Sequence, residues 1–319
     1  MEKIEEIISE LKNFKKSRHT QKKYDEIFTL LAKLKSDAVE INDQDAAKLI
    51  WCYEKITEIQ MYYINSFYLL KKKEYYKAWC ELEKCEKRIQ YLRDHFEIKD
   101  KDLFSIAFIM RQVSKFQSIY PNYIFTSYQL AIKSTICSIC KRENSIRNHC
   151  GHVLREIYDG KRCVRYIKKC EPLHTAIVEN PKWKYRVLFD TNEKREKVDN
   201  YNYSIIEYLI EILPSPFVEW NYKCSIKINS HSKFINFRED DECPCGSGNL
   251  YKDCCLKKDG VPRPHIDFYG FEPISEPEIK DDFSQLKPKR LEQDTRANET
   301  KNEMILTGIS ATTNSFFID

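Results

Sequence analysis

Apolar residues recur at helical spacing through the first hundred positions. Ile4, Ile7, Ile8, Leu11 and Phe14 form one stripe, and Tyr24, Ile27, Phe28, Leu31 and Leu34 a second. Residues 43–70 carry a third, with Ile56, Ile59, Tyr63, Phe67 and Leu70, and Tyr75, Trp79, Leu82, Cys85, Ile89, Leu92 and Phe96 make a fourth. A fifth begins near Asp102 and runs through Leu103, Ile106, Met110 and Val113. Such stripes bury one helix face each. No glycine precedes Gly151 and the first proline is Pro121, which suits long uninterrupted helices. An all-helical domain is expected over residues 1–134, its aromatic stripes serving as core.

Beyond it the pattern is mixed. Residues 123–136 fit helix or strand. Val164 to Ile167 reads as strand, and residues 183–190, WKYRVLFD, alternate as a strand does. Tyr203 to Leu213 reads as a short amphipathic helix stopped by Pro214 and Pro216, and Phe217 to Ile228 as strand. The fold class predicted is α+β: the helical domain, a mixed metal-bearing region over 135–242, a small knuckle at 243–258, and a largely disordered tail from 259 to 319. Residues 261–319 carry a net charge of −4 and few periodic apolar positions. The closing Asn314-Ser315-Phe316-Phe317-Ile318-Asp319 is expected to fray, with a short docking motif as the alternative.

The 319 residues include 13 cysteines, and these change the picture. No apolar leader marks MEKIEEIISE as a signal peptide, and no apolar run reaches membrane-spanning length. A cytoplasmic chain without a membrane span is therefore expected. In a reducing compartment, closely spaced cysteines serve as metal ligands more often than as disulfides.

Cys243, Cys245, Cys254 and Cys255 fall within 13 residues, in the stretch DECPCGSGNLYKDCCLKK. Four thiolates suit tetrahedral zinc. Pro244 stiffens the first turn, Gly246 and Gly248 permit positive φ, and Tyr251 can cover so small a core. This stretch resembles the SEC-C motif, known as the zinc-binding C-terminal tail of the preprotein-translocase motor ATPase. The matching residues are Cys243, Pro244, Cys245, Gly246, Ser247, Gly248, Tyr251, Lys252, Cys254 and Cys255. Cys255 stands where that ATPase usually has His. The resemblance implies one zinc and a protein or ribosome-like partner, met by Lys252, Lys257 and Lys258.

A second candidate site is Cys137, Cys140, Cys150 and His152, spaced CxxC and CxH. His149 competes with His152; Gly151 favours His152, since a tight turn there brings Cys150 and His152 to one side. Cys163 and Cys170 are further candidate ligands. Two zinc ions are thus expected. Residues 137–181 also resemble a zinc-bearing segment of phage structural and prohead-protease-like proteins. Cys137, Ser138, Ile139, Cys140, Cys150, His152, Ile157, Tyr158, Gly160, Cys163, Glu171, Val178, Asn180 and Pro181 carry the likeness. The nucleophilic serine of those proteases has no counterpart here, so their activity is not carried over.

Counting Lys and Arg against Asp and Glu, residues 137–190 carry +6. Arg142, Arg147, Arg162 and Arg165 are candidate contacts for nucleic acid, the alternative partner. No HExxH, nucleophile elbow, phosphate-binding loop or kinase set occurs. Closed four-ligand metal sites are structural, which favours an adaptor over an enzyme; a phage-related or defence effector is the catalytic alternative.

Overall fold

The computed structural model describes residues 2–99, 102–144, 149–274, 309–311 and 316–318. The chain divides into two compact units. One comprises Met1–Ser118, Asn122–Tyr201 and Met304–Asp319; the other comprises Ile119–Pro121 and Asn202–Glu303.

The first unit opens with five helices: α1 (Glu2–Lys12), α2 (Gln21–Glu40), α3 (Gln44–Lys71), α4 (Tyr75–Arg93) and α5 (Ile106–Ile119), the last of which ends at the border with the second unit. The predicted stripes are the core. Leu11 and Phe14, Leu31, Ile56, Ile59 and Tyr63, and Leu82 and Leu92 are all essentially inaccessible to solvent. Local chemistry fixes the helix starts. Asp43 accepts the Ala46 N–H at 2.9 Å to cap α3, and the Asp102 carboxylate accepts from Ile106 and Ala107 N–H, both at 2.8 Å, to cap α5. Buried Gln60 donates to Leu11 O and Phe104 O, both at 2.9 Å, tying α3 to the segments on either side of it.

After the helices the chain turns to sheet. The ambiguous stretch at 123–136 is strand: β1 (Phe125–Cys137) pairs antiparallel with β5 (Arg165–Val178), with β2 (Glu143–Asn144) on its other edge. β1 thus crosses the boundary expected at residue 134. The unit also holds two small hairpins: β3 (Ile157–Tyr158) with β4 (Lys161–Arg162), and β6 (Asp190–Thr191) with β7 (Lys197–Val198).

The strand expected at 183–190 is not a regular one. Only Val187 bridges to Phe125, and β6 begins at Asp190. Arg186 O accepts the Thr126 N–H and Leu188 N–H donates to Ile124 O, both at 2.9 Å, but the backbone at Lys184 and Tyr185 is bonded to α4. Buried Glu83 accepts the N–H groups of Lys184 and Tyr185, both at 2.6 Å. Trp79 Nε1 donates to Lys184 O at 2.6 Å, and Tyr76 donates to Tyr185 O at 2.7 Å. Groups spent on side chains of a helix cannot form a strand ladder.

The second unit holds α6 (Ser204–Ile212), which matches the predicted helix, and an antiparallel hairpin of β8 (Asn221–Asn229) and β9 (Val261–Tyr269). Trp220, fully buried, packs edge-on to Phe268 with centroids 5.8 Å apart. β9 corrects the expected disordered tail: residues 261–269 form a regular strand, in which Val261, His265 and Ile266 are buried and β8 pairs with the backbone. The expected fraying of the end is also corrected. β10 (Ile309–Ala311) pairs with β11 (Phe316–Ile318), and β11 pairs with β5 at Arg165–Ile167. The rest of the expected tail, 275–308, 312–315 and 319, lies outside the described residues.

Among the described residues, no helix is long and apolar enough to cross a membrane.

Candidate metal centres

The first centre closes a hairpin. β8 and β9 pair from Asn221↔Tyr269 to Asn229↔Val261, so residues 230–260 are the connection between two paired strands. A connection of that length needs a core of its own or an external tie. Its core is minimal: Cys243, Tyr251, Cys255 and Val261 are buried together, with Phe234, Cys245 and Cys254 packed against them.

The sulfurs stand at metal spacing. Cys245 Sγ is 3.6 Å from Cys254 Sγ, and Cys254 Sγ is 3.7 Å from Cys255 Sγ. All four donor atoms lie within 4.8 Å of one another. Thiolates bound at about 2.3 Å to a tetrahedral zinc stand about 3.8 Å apart, whereas a disulfide holds its sulfurs at about 2 Å. The donor set fits zinc, which Cys243, Cys245, Cys254 and Cys255 can hold as a four-thiolate cross-link.

Local backbone conformation explains how so short a stretch does this. Gly246 and Gly248 have φ of +77° and +78°. Cys243 N–H donates to Asn249 O at 2.7 Å, folding the Cys-Pro-Cys turn back on itself. Burial opposes ionisation of Cys245, but Ser247 and the thiols of Cys243 and Cys254 outweigh it and bring this thiol down to about 6. Burial and the neighbouring sulfurs push Cys255 up.

The knuckle is tied to the chain on either side of it. His231 Nε2 donates to Lys258 O at 2.8 Å, and its Nδ1 lies 2.6 Å from the Tyr251 hydroxyl. The Arg263 guanidinium donates to Pro244 O. Tyr251 N–H donates to Asp241 O at 2.9 Å, so the acidic stretch itself packs onto the knuckle.

The second centre lies where β1 ends. Cys137 is its last residue, and Cys137, Cys140, Cys150 and His152 bring their donor atoms within 4.8 Å of one another. Gly151 has φ of +85°, the turn expected between Cys150 and His152. His152 Nδ1 is buried without a hydrogen-bond partner. A buried ring nitrogen with no partner is costly unless it is reserved for a ligand, so the set fits a metal here too. His149 is exposed and outside the set. Burial opposes ionisation of Cys137, but the N–H groups of Cys140 and Ile139, with the thiols of Cys150 and Cys163, hold it down at about 6.

Cys163 sits beside the quartet. Its Sγ is 3.8 Å from that of Cys137, and both residues are fully buried. Burial, then the Cys137 sulfur, push it up to about 11. Cys170 lies along β5 opposite Ile132, away from the turn.

The four arginines expected at a nucleic-acid surface are placed differently. Arg165 belongs to the metal centre: its Nη1 lies 3.8 Å from Cys150 Sγ and 3.6 Å from Cys163 Sγ, and its Nη2 donates to His152 O at 2.8 Å. It offsets the charge of the thiolates. Its spacing two residues after Cys163 was the available sequence signal. Arg142 is exposed, and Arg147 lies outside the described residues. The Arg162 guanidinium lies over the Tyr91 ring, 4.2 Å from its centroid. At the knuckle, Lys252 pairs with Asp240 at 2.6 Å and Lys257 with Asp253 at 3.2 Å, while Lys258 is exposed.

The SEC-C motif family matches residues 241–257, the hairpin connection that carries the first quartet. That is a zinc-binding motif, and it covers a small part of the chain. No significant match to a curated protein or to a solved structure is found. The likeness of residues 137–181 to phage prohead-type segments has no counterpart in these matches.

Proposed function

We propose that the chain is a two-zinc adaptor that captures a protein or ribosome-like partner through the surface of its SEC-C knuckle. One observation supports this best. The connection that holds the quartet exposes large apolar side chains: Ile235 at 81%, Phe237 at 43%, Leu250 at 40% and Leu256 at 37%. A loop held by metal presents such residues at low entropic cost, and apolar anchors with a basic rim are how protein surfaces are commonly recognised. Lys258 would supply that rim; Lys252 and Lys257 already have carboxylate neighbours and contribute less.

Neither zinc has an open position when its four donors are bound, so the metal's part is to fold the loop rather than to activate water. Affinity capture from cell lysate tests the reading, using the full chain and a Leu256→Glu, Lys258→Glu variant. Both residues are exposed, so the variant should keep both metals. Loss of a specific captured partner in the variant is expected. Equal capture by both proteins would remove the knuckle surface from the interaction.

A further inference from the structure

A cleft of about 370 Å³ opens on the first unit beside the end of α4. Five cations line it, Lys87, Arg93, Arg155, Arg162 and Lys182, with Asp94 as the carboxylate among them. Tyr91 and Trp183 supply flat walls. Arg162 stacks on Tyr91 and reaches Asp94 at 3.6 Å, and Lys87 Nζ lies 4.9 Å from the Trp183 centroid.

Gathering five like charges costs free energy, and the fold adds strain to do it. Arg155 has φ of +74°, the left-handed region that a side chain disfavours. Both its backbone groups are bonded there: its N–H donates to Cys163 O at 2.9 Å, and its carbonyl accepts from His95 Nε2 at 2.9 Å. His152, a donor of the second metal centre, and Cys163, packed on the Cys137 sulfur, flank the stretch that carries Arg155 and Arg162, so both ends of that stretch are fixed at the centre. The β3–β4 hairpin is seated by Gln44, which donates to Asp159 Oδ1 at 2.7 Å and accepts its N–H at 3.0 Å.

We propose that this cleft binds single-stranded nucleic acid, with successive phosphates on the cations and an unpaired base against Trp183. Five cations exceed what one phosphate can use, which argues for a chain of phosphates over a single group. A flat ring beside them is useful only to a base whose face is open, which argues for a single strand over a duplex. Guanidinium forks suit carboxylates as well as phosphates, but the flat face of Trp183 gives an acidic peptide little. The proposal stands apart from the knuckle reading, since all these residues lie in the first unit.

Fluorescence anisotropy on the zinc-loaded full chain tests it, with labelled oligo-U and oligo-dT of about ten nucleotides. Binding should weaken steeply with salt, and each cation removed should lower the logarithmic salt slope by about 0.7. Arg155→Gly suits the positive φ while deleting the charge, so it should fold at least as well and bind less tightly. Together with exposed Lys182→Gln it should weaken binding about tenfold. Trp183→Ala should cost about tenfold as well. Preference for oligo-U or oligo-dT tells RNA from DNA, and either supports the site. Absence of binding at low salt, equal binding of a duplex, of UMP or of poly-glutamate, or unchanged binding by the Arg155→Gly, Lys182→Gln protein would overturn it.

Discussion

At the knuckle, four thiols drawn from 13 residues meet inside a loop whose few other buried side chains are Tyr251, Val261 and, in part, Phe234. At the second centre, donors from the end of β1 and from the loop after β2 meet where a sheet joins helices. Their donor chemistry is nearly the same, but their surroundings are not. The knuckle's metal would replace a core that the loop cannot build. The other would lock the β3–β4 hairpin, which already has Gln44, Asp94 and His95 as anchors on the helical side. Metal loss should therefore unfold one region outright and only loosen the other.

The largest effect belongs to the knuckle. Cys255→Ser should release one zinc, and with it binding free energy on the order of 10 kcal/mol that folds the loop. Amide exchange should rise through residues 230–260 and at the Asn229↔Val261 end of the hairpin, because Val261 loses its buried neighbours. The α1–α5 helices should keep their protection. If they lose it too, the contrast between a local and a shared centre is wrong.

Cys150→Ser should remove the other zinc by native mass spectrometry. Exchange should rise across residues 153–163 while most of the thermal transition survives, since β1 and β5 remain paired. His152→Ala should match it, and His149→Ala should do nothing. Cys163→Ser should keep both metals. Its losing one would make Cys163, rather than His152, the fourth donor.

Gly160 probes the anchoring that sets the second centre apart. It sits at φ +62°, and a Cβ there would lie 2.4 Å from Lys35 Cδ and 3.2 Å from Ala47 O. The lysine stem can move, but the backbone carbonyl and the φ cannot easily change. Gly160→Ala should cost about 3 kcal/mol of unfolding free energy. A cost under about 0.5 kcal/mol would mean the hairpin does not press on the helices.

The knuckle was legible in the sequence because its chemistry is local: ligands, positive-φ glycines and the covering tyrosine occupy one stretch. The helical stripes were legible for the same reason, since a period of 3.6 needs no knowledge of a partner. The strand at 261–269 was not. Pro262 and Pro264 argue against a ladder when read alone, and only β8, some forty residues earlier, supplies the pairing. The roles of Arg155, Arg162 and Arg165 were equally hidden. Sequence shows a basic block, and tertiary packing assigns one arginine to thiolates and two to a cleft. The strap at 183–187 misled because its alternation reflects packing on α4, where a carboxylate bonds its backbone.

That carboxylate is a tie without metal, and pH should tell it from the thiolate centres. Glu83 is 3% exposed, and burial holds it up at about 7 despite the N–H groups of Lys184 and Tyr185 and the charge of Lys87. Its folded value lies above the unfolded one of 4.5, so the native state keeps a proton that the unfolded chain has released. The stability this residue contributes is full below the unfolded value and is lost as pH rises through about 7. Zinc thiolates run the opposite way, losing metal as pH falls. Glu83→Gln cannot ionise, and its single amide oxygen keeps an acceptor for only one of the two N–H groups, so it should be less stable than the parent at low pH. Its melting temperature should fall less than the parent's between about pH 5 and 8, a differential on the order of 2 kcal/mol. Zinc content should be the same in both proteins throughout. Parallel pH curves would show that the parent's carboxyl ionises as an exposed one does, and that solvent reaches the strap.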